Sequence, residues 1–247
     1  VLGQDGHKLS KRHGATAVNE FRKAGYLPEA LINYIAHLGC SFQEGRDLYS
    51  LGEMESLFKI EKLNKAPAVF DYQKLEWFNG QYIRLKSDAE LAALVKPYLV
   101  EAGLRAENDG AADALDVKAM PLVKERMKFL SEAASLMGYL YRKPELPAAA
   151  EFIPKKLDTA TTLRMLREDL ALLELVDLER LEEAEEAFRA RAGQIPAKLG
   201  DLLMPLRVAV TGSRVSPPLF ESMRLLGVAE TGERIRAAIV HLEKSEA

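Results

Sequence analysis

The sequence predicts an all-α protein. From Ser87 onward apolar residues recur at helical spacing almost without interruption, serine or aspartate caps open several of the periodic runs, and glycine closes most of them. No fixed-period repeat emerges. The chain has 247 residues, 48% hydrophobic and 29% charged, enough to bury a real core in one large domain or two to three small ones.

The elements follow in order. Ala17 to Ala24 is a short amphipathic helix stopped by Gly25. Pro28 sits where a first helical turn tolerates proline, and Leu31, Ile32, Tyr34, Ile35 and Leu38 recur to Gly39 as a buried helix. Leu51 to Phe58 is another, with Ser50 and Glu53 at capping-box spacing. Asp71 is the N-cap of a helix carrying Leu75, Trp77 and Phe78, with Trp77 expected in the core and Asn79-Gly80 closing the helix. Ser87 and Glu90 cap the next, whose stripe is Leu91, Leu94, Val95, Tyr98 and Leu99, up to Gly103. Glu107 to Gly110 is a polar break. Leu115 to Tyr141 holds one or two helices, Pro121 starting the second and Met127, Leu130, Ala134 and Met137 lining its inner face. Lys143-Pro144-Glu145-Leu146-Pro147 is a linker. Leu181 to Arg191 reads as a solvated charged face, and Pro196 precedes the next helix. Met204 to Ser213 is an apolar helix with a lone arginine, Arg207, ended by Thr211-Gly212-Ser213.

Composition excludes several classes. The single cysteine, Cys40, forms neither an internal disulfide nor a multi-cysteine zinc site, and no metal site is expected. No apolar run approaches the roughly 20 residues of a membrane span and no signal-peptide core opens the chain, so no membrane partner and a cytoplasmic location are expected. With 34 Lys+Arg against 37 Asp+Glu the net charge is −3, so an RNA partner requires positive charge gathered on one face. The chain opens on Val1, without methionine, which implies further chain upstream.

Two stretches carry chemistry. Gly6-His7-Lys8-Leu9-Ser10-Lys11-Arg12-His13-Gly14 sets three cations and a hydroxyl within five residues, between glycines that free the backbone: a mobile loop suited to an anion. Arg207 needs partners if buried, and the proline-stiffened Ser216-Pro217-Pro218-Leu219-Phe220 beside it offers a rigid surface for a splayed-out base. On chemistry alone a solvated basic cluster, or a nucleic-acid or localisation patch, competes for the first, and a structural helix tie for the second. His37-Leu38-Gly39-Cys40 echoes a nucleotide motif, but here the glycine ends a helix instead of preceding one, so no role is assigned.

Lys8-Leu9-Ser10-Lys11-Arg12-His13-Gly14 resembles the Lys-Met-Ser-Lys-Ser loop of class I aminoacyl-tRNA synthetases, in the form typical of bacterial glutamyl-tRNA synthetases, where arginine replaces the last serine. Phe70 to Arg84 resembles that family's stem-contact segment. Glu125-Arg126-Met127-Lys128-Phe129-Leu130 resembles a run of its proximal anticodon domain, with Phe129 in place of threonine, and Pro205 to Phe220 resembles its distal anticodon domain. The resemblance implies a stem-contact domain over 1–87 with the signature loop, then helical anticodon-binding domains over 88–148 and 149–247. It implies that Lys8, Ser10 and Lys11 are catalytic and that Lys8, Lys11 and Arg12 bind ATP, which arrives with magnesium. Arg126, Arg207, Ser216, Pro217 and Leu219 would contact the anticodon of glutamate tRNA. The nucleotide-binding sheet and the glutamate pocket would lie before Val1. Two other readings stay open from sequence alone, a free-standing RNA-binding protein and an all-helical interaction scaffold.

Overall fold

The computed structural model describes residues 1–43, 45–192 and 198–246, and Pro196 lies outside them. Among the described residues regular structure is helical, accompanied by isolated β-bridges. The chain clusters into two compact units, Val1–Ser135 and Leu136–Ala247.

The first unit holds α1 (Val18–Ala24), α2 (Pro28–Gly39), α3 (Leu51–Leu57), α4 (Tyr72–Leu85), α5 (Asp88–Glu101) and α6 (Gly110–Val123), and α7 (Ala133–Tyr141) crosses the division. The expected caps form. Ser50 Oγ accepts the Glu53 N–H at 3.3 Å while the Glu53 carboxylate accepts the Ser50 N–H at 2.8 Å, and Ser87 and Glu90 repeat the exchange. Asp71 Oδ1 accepts from Gln73 and Lys74, and Gly25 ends α1 with φ 93°. At Gly25 a Cβ would sit 2.6 Å from the Ser131 backbone nitrogen, so only glycine meets both demands.

Asn79-Gly80 does not end α4, which runs on to Leu85. The cause is distant in sequence: Asn79 is fully buried, its Oδ1 accepts the Leu27 N–H, and its amide donates to the carbonyls of Gly25 and Lys128. An asparagine satisfied from three sides has no reason to stop the helix. Trp77 is not a core residue either. Its side of α4 faces outward at 45% exposure, and Leu75, Phe78 and Ile83 form the buried stripe. On α2, Ile32 and Ile35 are exposed, and Ala30, Asn33 and Tyr34 make the buried side. Pro121 lies inside α6 instead of starting a helix. The break comes after it, because the Glu132 carboxylate accepts the N–H groups of Lys128 and Phe129 and holds that stretch out of helix ahead of α7. Met127 is therefore extended, although fully buried.

The second unit packs α8 (Thr159–Leu173), α9 (Leu181–Ala192), α10 (Leu199–Thr211) and α11 (Leu219–Glu246), the last interrupted at Gly227 by a non-helical φ of 79°. Its core joins Phe152, Leu166, Phe188, Leu206, Met223 and Ile239. Arg234 is buried, and each of its three nitrogens donates, to Glu230 and to the carbonyls of Val210 and Tyr139. The α9 surface is charged as expected, with Glu185 paired to Arg189. Arg191 is the exception: it turns inward onto the buried carboxylate of Asp169. Burial, opposed by Arg191, pushes the Asp169 carboxyl up to about 7.

Candidate functional site

The lysine loop begins as a small hairpin. The Gly3 N–H donates to the His7 carbonyl at 2.7 Å and the Leu9 N–H to Val1 at 3.1 Å, while Gly6 turns the chain with φ 75°. The hairpin is stitched to the extended approach to α4, because the Leu2 N–H donates to the Ala68 carbonyl and the Leu2 carbonyl accepts from Phe70. Both bounding glycines take a positive φ, and backbone bonds tie the base of the segment.

Ser10 then precedes a 3-10 turn, Lys11–His13. Lys8, Lys11 and Arg12 are exposed and Ser10 is half-buried. The Ser10 N–H donates to His13 Nδ1 at 3.0 Å, and its Oγ lies 3.1 Å from the same nitrogen. On the other side of the ring, Nε2 meets Asp5 Oδ2 at 3.0 Å. Asp5 also receives Arg12 Nη2 at 3.3 Å and the His7 N–H at 3.0 Å. The bond from His13, then that from His7, hold its carboxyl down to about 2. Arg12 and His13 thus share one carboxylate, whereas no ion pair engages Lys8 or Lys11 among the described residues. The loop leaves at Gly14 (φ 125°), where a Cβ would come within 3.0 Å of the Tyr72 ring. Asp5 and His13 are missing from the residues singled out by sequence, although His13 stands at capping-box spacing from Ser10.

Arg126 is exposed, on a 3-10 turn (Lys124–Arg126) instead of a helix. Its neighbours on the turn are engaged, Glu125 with Arg84 at 2.9 Å and Lys124 with Asp88 at 2.8 Å. In the second unit, half-buried Arg207 of α10 donates through Nη1 to Ser216 Oγ at 2.6 Å and to the Pro217 carbonyl at 3.0 Å. The structure therefore brings Arg207, Ser216 and Pro217 together. Ser216, Pro217 and Leu219 are buried, Leu219 within the core, so the outward positions of this loop are Ser213, Arg214 and Val215. Gly212 (φ 74°) lets the α10 end approach Pro144, where a Cβ would meet the ring at 2.6 Å. No cluster of His, Cys, Asp or Glu that could hold a metal ion occurs among the described residues, and none of their helices is long and apolar enough to cross a membrane.

Comparison with known proteins gives this geometry a context. Residues 1–77 match the family described as tRNA synthetases class I (E and Q), catalytic domain, and residues 90–239 match the anticodon binding domain family. The chain is 48% identical to a glutamate–tRNA ligase of Treponema denticola, over 97% of this chain and 51% of the relative. It is 41% identical to one of Borrelia recurrentis, over 100% of this chain and 49% of the relative. A crystal structure of a glutamate tRNA ligase from Elizabethkingia meningosepticum, in complex with its amino acid, superposes with a TM-score of 0.82 at 29% identity, covering 98% of this chain and 50% of that one. The chain spans about half the length of the relatives it matches. A signature lysine loop ahead of a helical anticodon-binding region, matched from end to end, places the chain in the glutamate–tRNA ligase family of class I aminoacyl-tRNA synthetases, as a counterpart of the C-terminal half of its members.

Proposed function

We propose that this chain supplies the phosphate loop and the tRNA-reading part of an enzyme that attaches glutamate to its tRNA through an ATP-derived glutamyl-adenylate. The observation that carries the reading is the pair of exposed lysines, Lys8 and Lys11, outside any ion pair among the described residues, on a loop tied at its base. Ammonium groups so held meet phosphate oxygens most tightly as charge develops in the transition state, and Lys11, on the 3-10 turn, is the foremost of them. Ser10 sets that turn. Arg12 joins the lysines on magnesium-bound ATP by leaving Asp5, an exposed pair that competes weakly.

Recognition of glutamate tRNA falls to the helical remainder, with a stem-contact region over 1–87 and anticodon-reading regions over 88–148 and 149–247. Arg126 offers an exposed guanidinium at the surface. Arg207 offers one oriented by Ser216 and Pro217, with Leu219 anchoring the loop behind it. The glutamate pocket belongs to the half of the enzyme that this chain does not span, and the setting is the cytoplasm. The test is direct: the 247-residue chain binds glutamate tRNA in a salt-dependent filter assay but supports no ATP–pyrophosphate exchange. Exchange by the isolated chain, or the absence of specific tRNA binding, would overturn the reading.

A further inference from the structure

We propose that Asp5 and His13 are positioning residues for the lysine loop, His13 standing as the neutral Nε2–H tautomer between Ser10 and Asp5. The inference rests on the phosphate-binding reading of Lys8 and Lys11.

The tautomer follows from donor counting. A backbone N–H can only donate, so the 3.0 Å contact from the Ser10 N–H makes His13 Nδ1 an acceptor. The Ser10 hydroxyl, 3.1 Å from the same lone pair, donates there too. The ring proton then sits on Nε2 and points at Asp5 Oδ2, 3.0 Å away. Asp5 is anchored in turn by the His7 N–H on its other oxygen. The ring has little freedom to leave this line, since a Cβ on Gly3 would sit only 2.8 Å from it. Lys11 is the first residue of the turn that Ser10 and His13 close, so its direction is set by a bond on which it makes no contact itself. A proton on Nδ1 would face the donor on Ser10, and the turn would lose this side-chain tie while keeping its backbone bond from the His13 N–H to the Ser10 carbonyl. The charged and titratable groups around the ring are Asp5 and Arg12 on the loop, with Tyr26, Tyr72 and Glu76 lining the same shallow cavity from the helical side.

Two half-replacements in the full-length enzyme separate the roles. His13→Asn keeps an acceptor where Nδ1 stands and gives up Asp5. His13→Gln keeps a donor toward Asp5 and gives up Ser10. With ATP–pyrophosphate exchange measured in the presence of glutamate and tRNA, His13→Gln should lower kcat by about 10- to 100-fold, the scale of a misplaced reacting group, with little change in KM for ATP. His13→Asn should lose less, since it keeps the tie to Ser10 and gives up only the Asp5 contact. Asp5→Asn should fall between them. In the 247-residue chain, ¹⁵N spectra of the imidazoles should show His13 protonated at Nε2 alone near neutral pH. Wild-type activity in His13→Gln, equal losses in both His13 variants that track a lowered Tm, or a proton on Nδ1 would each overturn the proposal. A wild-type enzyme without exchange would remove the ATP reading instead, and the positioning role with it, while the tautomer measurement still decides whether the clamp exists.

Discussion

Asn79 Oδ1 accepts the Leu27 N–H at 2.7 Å, so a side chain in the middle of α4 satisfies the backbone donor at the entrance to α2, 52 residues earlier. The same amide serves Gly25 and Lys128, which makes one buried side chain the junction of three segments. Asn79→Leu leaves that donor and the Lys128 carbonyl unpaired, while the Gly25 carbonyl keeps only the Leu130 N–H, and should cost about 2 to 4 kcal/mol in urea unfolding of the chain. Gly25→Ala should be comparably damaging for a different reason, a left-handed backbone with no room for Cβ. A loss under 0.5 kcal/mol for both would show that the junction is not rigid.

Lys11→Ala in the full-length enzyme should lower the rate of glutamate activation by about 10² to 10³, the usual cost of removing one preorganised charge contact. Its tRNA affinity should change little. Collapse of tRNA binding with ATP chemistry intact would make the loop an RNA patch.

The second unit should carry a pH dependence written by Asp169. Its carboxyl is raised to about 7 in the folded chain from an ordinary value of 3.8, so the folded state binds this proton more tightly than the unfolded state does. The contribution is full below about pH 4 and is lost as pH rises through about 7, by an amount on the order of a few kcal/mol. Unfolding midpoints of wild type between pH 5 and pH 8 should therefore show a falling component that Asp169→Asn lacks. Arg191→Leu should steepen it, since the buried carboxylate then has no cation beside it. A wild-type profile identical to that of Asp169→Asn would show that the carboxylate stays ionised throughout.

Replacing Arg126 or Arg207 with Gln tests base reading against phosphate holding. A guanidinium that forks onto a base edge carries sequence information, so each change should cost about 1 to 3 kcal/mol against the cognate anticodon and relax discrimination at one position. A phosphate contact would weaken binding about equally for every anticodon and flatten the salt dependence. Charging of tRNAs altered at each anticodon position decides between them. For Arg207→Gln the melting temperature must be read alongside, because Ser216 and Pro217 lose their donor as well.

What sequence reveals here is what lies within one turn of itself. The caps at Ser50, Asp71 and Ser87 and the stop at Gly25 act over a few residues, and each is found where spacing puts it. Asn79-Gly80 reads as a stop only while its partners at 25, 27 and 128 are unknown. Trp77, Ile32 and Ile35 read as core because bulk and period do not say which side of a helix is covered. The same division holds at the site. The lysines and Ser10 are legible as a spaced run, whereas the bond from His13 to Asp5 requires the hairpin to fold back by 8 residues. At the Arg207 loop, residue types suggest a surface, while the fold turns Ser216, Pro217 and Leu219 inward and leaves the arginine as the half-exposed member.

Leu2 gives both its N–H and its carbonyl to the strip that feeds Asp71, the first cap of α4, while Val1 and Gly3 on either side of it bond the lysine hairpin at Leu9 and His7. In mechanical language this is a welded joint: residues 1 to 3 are bonded alternately to the hairpin and to the strip ahead of α4, and sliding one past the other would sever bonds on both sides. Residues 1 to 3 thus belong to the hairpin that carries Lys8 and to the approach to α4 at once.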